Sequence, residues 1–189
     1  MKAKFRYSAP IIGLTLRQIK IIKVKIVGPS LSAAGYSCKT PRALVFGPAK
    51  YGRMDWEYPF MTTVIGKTKL IIGSVRRQDI VGQMTVLQLS WLQLISGIQS
   101  SIFKSGESIP YLPNSWLTNT QHHLATAGIK IKIANIWLPK KQREHDQKIM
   151  DYIRHNLPEW AWESINTCRL YIQAITFSDI TTYDGKWIS

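Results

Sequence analysis

Eleven Lys or Arg side chains and no Asp or Glu lie within residues 1–54, and this segregated charge is the first chemistry the chain offers. Arg6, Arg17, Lys20, Lys23, Lys25, Lys39, Arg42, Lys50 and Arg53 are interleaved there with Tyr7, Tyr36 and Tyr51. Cations without carboxylate neighbours displace counterions from phosphates, and tyrosine rings stack on bases and sugars. The pattern points to a polyanion-binding surface, with Arg6, Arg17, Lys20, Lys23, Lys25, Arg42, Lys50, Tyr51 and Arg53 as candidate nucleic-acid contacts. The competing readings are a solvated basic face and one that docks on an acidic protein. The whole chain carries +14, but residues 55–189 hold 14 basic against 11 acidic residues, so the field is local to the N-terminal quarter.

Other reactive side chains form no recognisable constellation. His122 and His123 are adjacent and diverge on a helix, while His145 and His155 fall on a charged stretch, which suits surface roles better than a metal site or a general base. Cys38 and Cys168 stand apart with no Cys-x-x-Cys spacing, and Cys168 reads as a packing residue inside a helix. Phosphate-loop, dinucleotide and nucleophile-elbow motifs are missing. No catalytic residue, metal ligand or cofactor is therefore expected, and the chain by itself is not expected to be an enzyme. Trp91, Trp116, Trp160 and Trp162 read as core or interface anchors, and Trp56, beside Arg53, as a stacking candidate. The cysteine usage and the absence of a secretory pattern lead to an expected intracellular site, nuclear or cytoplasmic.

These residues must be positioned by a core, and a 45% hydrophobic, 19% charged composition supports one. The predicted class is mainly α, helical bundle-like, with one or two short strands or a hairpin. Thr15 caps a first helix through Leu16, Ile19, Ile22 and Ile26 that stops at Gly28-Pro29. A β-strand competes there, because Ile22, Val24 and Ile26 alternate with lysines. Glycines and prolines then mark residues 28–58 as a connecting segment.

Phe60, Val64, Ile71 and Val75 predict a helix from Pro59 to Arg76. Asp79 caps the next, with Ile80, Met84, Leu87, Trp91, Leu94 and Ile95 facing inward as far as Gly97. Residues 98–113 read as a loop, and Asn114 or Ser115 caps a helix through Trp116 and His123 that ends at Gly128. Ile129, Ile131 and Ile133 alternate as in a strand. Lys140 to His155 reads as a surface helix with Ile149, Met150 and Ile153 on one side and a Glu144–Lys148 pair. Pro158 and Glu159 open another, with Trp160, Ile165, Cys168 and Ile172 inward. Asp184-Gly185 suggests a C-terminal hairpin. The expected organisation is a basic helix or strand with a connecting segment over 1–58, a helical domain over 59–177, and a hairpin-like tail over 178–189 that ends mid-pattern, as a truncated fragment would. Ile80 to Phe103 carries no charge and is long enough to cross a bilayer, but Gln83, Gln88, Ser90, Gln93, Ser96 and Gln99 recur through it, so no membrane association is expected.

At Phe5-Arg6-Tyr7-Ser8, Leu16-Arg17, Gly35-Tyr36, Pro41-Arg42-Ala43-Leu44-Val45-Phe46-Gly47-Pro48 and Gly52, the chain resembles a known family. The likeness extends through Leu70-Ile71-Ile72-Gly73-Ser74-Val75-Arg76, Cys168 to Thr176 and Ser178-Asp179-Ile180. It is similar to the region after the reverse-transcriptase core in non-LTR (LINE-like) retroelement proteins of algae and other protists. Gly52-Arg53-Met54 departs from the glycine pair and leucine found at that turn in such proteins. The resemblance implies a thumb- or connection-like extension that holds template and primer, with RNA or an RNA–DNA hybrid and the polymerase core of the same parent protein as partners. That parent would be an RNA-directed DNA polymerase, whose paired aspartates hold two metal ions. No Asp-Asp pair occurs in this chain. The readings from other classes are a helical protein-interaction module on an acidic partner and a membrane-associated protein using Ile80 to Phe103.

Overall fold

The computed structural model describes residues 8, 10–12, 14–134, 136–137, 139–141, 143–184, 186 and 188. Among these residues the chain is mainly helical, with eight α-helices and no sheet. It divides into two compact units, residues 1–70 and 71–189, with the division inside one helix. No helix among the described residues is long and apolar enough to cross a membrane.

In the first unit Thr15 opens α1 (Leu16–Ile22) through a reciprocal capping box, its hydroxyl accepting from Gln18 N–H while the Gln18 side chain accepts from Thr15 N–H. The helix does not stop at Gly28-Pro29. A π turn (Lys23–Val27) leads directly into α2 (Gly28–Ala33), with Pro29 in its first turn. A proline ring crowds the carbonyl four residues earlier, here that of Lys25, and the wider π turn lies where that crowding would break an α-helix. The strand reading of Ile22, Val24 and Ile26 is thereby corrected to helix: Val24 and Ile26 are exposed, and Val27 and Leu31 face the core.

That core is small. Val27, Leu31 and Val45 are buried, and Phe46, Met54 and Trp56 pack against them. Trp56, the stacking candidate, is partly buried and leans on this core. The short α3 (Arg42–Phe46) is followed by a 3-10 turn (Ala49–Tyr51) and by Gly52 in the left-handed region. The chain then returns alongside α3, with Met54 N–H donating to Leu44 O and Trp56 N–H to Val45 O. Gly47 is required in this turn, because a Cβ there would sit 1.9 Å from Arg53 Cδ and 2.6 Å from Ala43 O. Helix α4 (Pro59–Arg77) follows, burying Phe60, Val64 and Ile71 as its periodicity predicts, and Lys67 with them.

In the second unit Asp79 caps α5 (Ile80–Ser96), accepting from Gly82 N–H at 2.8 Å, and Gly97 ends it in the left-handed region. The predicted limits hold, but the inward face is a different one. Gly82, Leu89, Gln93 and Ser96 are buried, whereas Ile80, Met84, Leu87, Trp91 and Leu94 are exposed, Trp91 to 53%. The face is selected by two close approaches. A Cβ at Gly82 would meet Ser74 O at 2.3 Å, and the Gln93 amide binds the following loop, donating to Ile98 O and Ser100 O and accepting from Ile102 N–H.

Ser115 caps α6 (Trp116–Thr126), and Gly128 follows it with φ of 68°. His123 is buried on this helix, unlike the surface role expected of it, while His122 is exposed. Residues 129–133 form no strand. Instead Ile131 N–H donates to Phe103 O, tying this segment to the loop after α5. The predicted surface helix is confined to α7 (Ile149–Asn156), and the Glu144–Lys148 pair does not form. Lys148 is buried and donates to Lys140 O at 2.8 Å.

Helix α8 (Glu159–Tyr171) begins after Pro158 as predicted, but it buries Ala161, Asn166 and Arg169. Trp160, at 82%, and Cys168 are exposed. Arg169 occupies the place expected of apolar side chains because its guanidinium closes the C-terminal end of α5, donating to Leu94 O, Ile95 O, Ala174 O and Asn166 Oδ1. At the tail, Thr181 and Ile188 pair in an isolated antiparallel bridge. Gly185, Trp187 and Ser189 lie outside the described residues.

Candidate nucleic-acid interface

The predicted contacts fall into distinct environments within the first unit. Arg6 and Tyr7 lie outside the described residues. Arg17, Lys20 and Lys25 are exposed on the helical run from Leu16 to Ala33, and Lys39 and Arg42 are exposed beyond it. Lys20 and Lys25 flank Ile21 and Val24 along one shallow groove of about 330 Å³. Cationic heads beside an aliphatic floor suit a ligand with charged phosphates and apolar ring faces.

A second cluster forms at the 3-10 turn. Lys50 Nζ lies 4.8 Å and the Arg53 guanidinium carbon 5.9 Å from the Tyr51 ring centroid. The ring itself is 65% exposed. Two cations held against an accessible ring form an arrangement that can bind phosphate and stack on a base together. Gly52 in the left-handed region makes the turn that brings Arg53 back toward Tyr51. Tyr36 is also exposed.

Lys23 is different. Its ammonium sits 4.3 Å from the Tyr58 ring centroid and 5.5 Å from that of Phe46, and those two rings are themselves 5.4 Å apart. This lysine is half-buried and already has an intramolecular partner. The aromatic pair that holds it was missed, and its only trace in the sequence is the presence of Phe46 and Tyr58 far from Lys23 along the chain.

Among the described residues, no group of three or more His, Cys, Asp or Glu side chains is placed to hold a metal ion. No family model, curated protein or solved structure matches the chain. Its own residues therefore carry the functional argument.

Proposed function

We propose that the first unit binds the phosphate backbone of RNA or of an RNA–DNA hybrid, as a thumb-like accessory part of a retroelement reverse transcriptase. The observation that carries this reading is the stretch of eleven cations without a carboxylate over residues 1–54, with Arg17, Lys20, Lys25, Arg42, Lys50 and Arg53 all exposed. The retroelement parent rests on the sequence resemblance. Arg and Lys supply affinity and register through phosphates, and Tyr51 adds a stacking surface that carries little sequence information. The chain positions nucleic acid and leaves catalysis to the polymerase core of its parent, in the nucleus or cytoplasm.

A pair of single variants tests the division of labour among the lysines. Lys25→Ala weakens hybrid binding and flattens its log-log salt slope by about 0.7–0.9, the loss of one phosphate contact. Lys23→Ala leaves that slope unchanged and instead lowers stability by about 0.5–2 kcal/mol through loss of its ring contacts. Equal slope changes in the two variants would refute this assignment. The exposed Ile21 and Val24 between Lys20 and Lys25 favour a second reading, docking on an acidic protein. Heparin separates the two readings: it competes fully for a phosphate surface, whereas a protein-specific face keeps a salt-resistant, apolar part of its affinity.

A further inference from the structure

Helix α5 is apolar on two opposite sides, and the chain itself covers one of them. Gly82, Leu89, Leu92, Gln93 and Ser96 face the core. Ile80, Met84, Leu87, Trp91 and Leu94 run along the other side and are between 39% and 79% exposed. At about 3.6 residues per turn the two stripes lie on opposite faces of the helix. A helix that is apolar all round is a buried helix, and here half of that burial comes from outside the chain. A contiguous exposed stripe of this kind marks an interaction surface.

The spacing of the stripe selects what covers it. The five side chains follow one another by four, three, four and three residues, the alternation of a helix-pairing seam, with Met84 and Trp91 at position a and Ile80, Leu87 and Leu94 at position d. The positions beside the seam, Val81, Gln83, Gln88, Ser90 and Ile95, are uncharged, and no Lys, Arg, Asp or Glu occurs from Ile80 to Phe103. Charges at such flanking positions select a different partner helix or repel an identical one, and this seam has none to do either. Residues 71–189 hold twelve basic against nine acidic side chains, a net +3, so two copies of this unit repel one another only weakly. We propose that α5 is a dimer interface, its exposed seam packing on the same seam of a second copy about a two-fold axis. Gln83 and Gln88 are exposed at the edges of the seam and supply its polar rim. Trp137 N–H donates to Ser90 Oγ at 3.3 Å, which brings a further exposed apolar residue beside it. Together these residues bury on the order of 1,000 Å² over the two copies, the area at which specific association begins. None of them belongs to the basic segment of the first unit, so this interface and the proposed function stand or fall separately.

The test is sedimentation velocity of the full chain, nuclease-treated and at high salt, across a concentration series. A reversible monomer–dimer equilibrium is expected, with an unfolding midpoint that rises with protein concentration. Leu87→Glu sets like charges against each other across the axis and should weaken dimerisation about tenfold or more. Trp91→Ala removes an aromatic anchor and should weaken it several-fold. Both side chains are exposed in the single copy, so far-UV circular dichroism and the unfolding midpoint at the lowest concentration should stay at wild-type values. Trp160→Glu, which puts the same charge on an exposed apolar residue away from the seam, should leave the equilibrium unchanged. A chain that is monomeric throughout the series, or equal weakening by Leu87→Glu and Trp160→Glu, overturns the proposal. Binding of a monomeric chain to neutral phosphatidylcholine vesicles, lost in Leu87→Glu, overturns it in favour of a lipid surface.

Discussion

Replacing Arg169 with leucine lowers the stability of the second unit by about 2–4 kcal/mol, measured as the shift in a denaturant-unfolding curve. Leucine matches the apolar part of the side chain, so the loss comes from hydrogen bonding. The last carbonyls of a helix have no partner within it, and at α5 those of Leu94 and Ile95 are met by Arg169 at 3.1 and 2.7 Å. The guanidinium is buried and lies at the negative end of the α5 dipole, which offsets part of the cost of burying its charge. Burial lowers its pKa from the usual arginine value. Arg169→Lys recovers only a minor part of the loss, because one ammonium cannot reach carbonyls from α5 and Ala174 together with Asn166 Oδ1. Full stability of the leucine variant would show that the end of α5 is held by something else.

Lys67→Met removes a rise of stability with pH that the wild type shows between about 8 and 10.5. Lys67 has no solvent exposure, and burial lowers its pKa from 10.5 to about 8. The surroundings therefore disfavour the charged form relative to the unfolded chain. Below pH 8 both states carry the proton and the folded state bears its full cost. Between about 8 and 10.5 the unfolded chain binds a proton that the folded chain has released, so wild-type stability rises with pH in that window. In Lys67→Met that rise is absent, so the difference between the two proteins changes across this window. Tyr111 does not interfere below pH 10, because burial raises its pKa from 10.0 to about 12, and its effect on stability, a loss, begins only above 10. Parallel curves for the two proteins from pH 7 to 10 would contradict this account.

Much of the helical framework was legible because local rules decide it. Asp79 and Gly97 bound α5, Ser115 opens α6 and Pro158 precedes α8, and each acts through its own backbone. The orientation of those helices was less legible. α5 is apolar on more than one side, so the stripe Ile80, Met84, Leu87, Trp91, Leu94 fits helical spacing as well as the face that is buried. The choice rests on Gly82 and Gln93, whose partners are set by close approach and by a loop that periodicity does not see. Lys148 was read as half of a surface ion pair and Arg169 was given no role, since a buried cation is recognisable only from the carbonyls around it. In the candidate interface the charge segregation was plain, and Arg17, Lys20, Lys25, Arg42, Lys50 and Arg53 are exposed. What composition did not reveal is that Lys23 is engaged by Tyr58 and Phe46.

The most direct measurement of nucleic-acid binding is the affinity of the full chain for a labelled RNA–DNA hybrid across a salt series, beside a variant with Arg17, Lys20, Lys25 and Arg42 changed to alanine. If these four side chains contact phosphates, the wild type binds with a steep log-log salt slope and the variant's slope is flatter by up to about three units. If the two proteins give the same slope, or the wild type does not bind at moderate salt, the basic segment does not serve nucleic acid and the central claim fails.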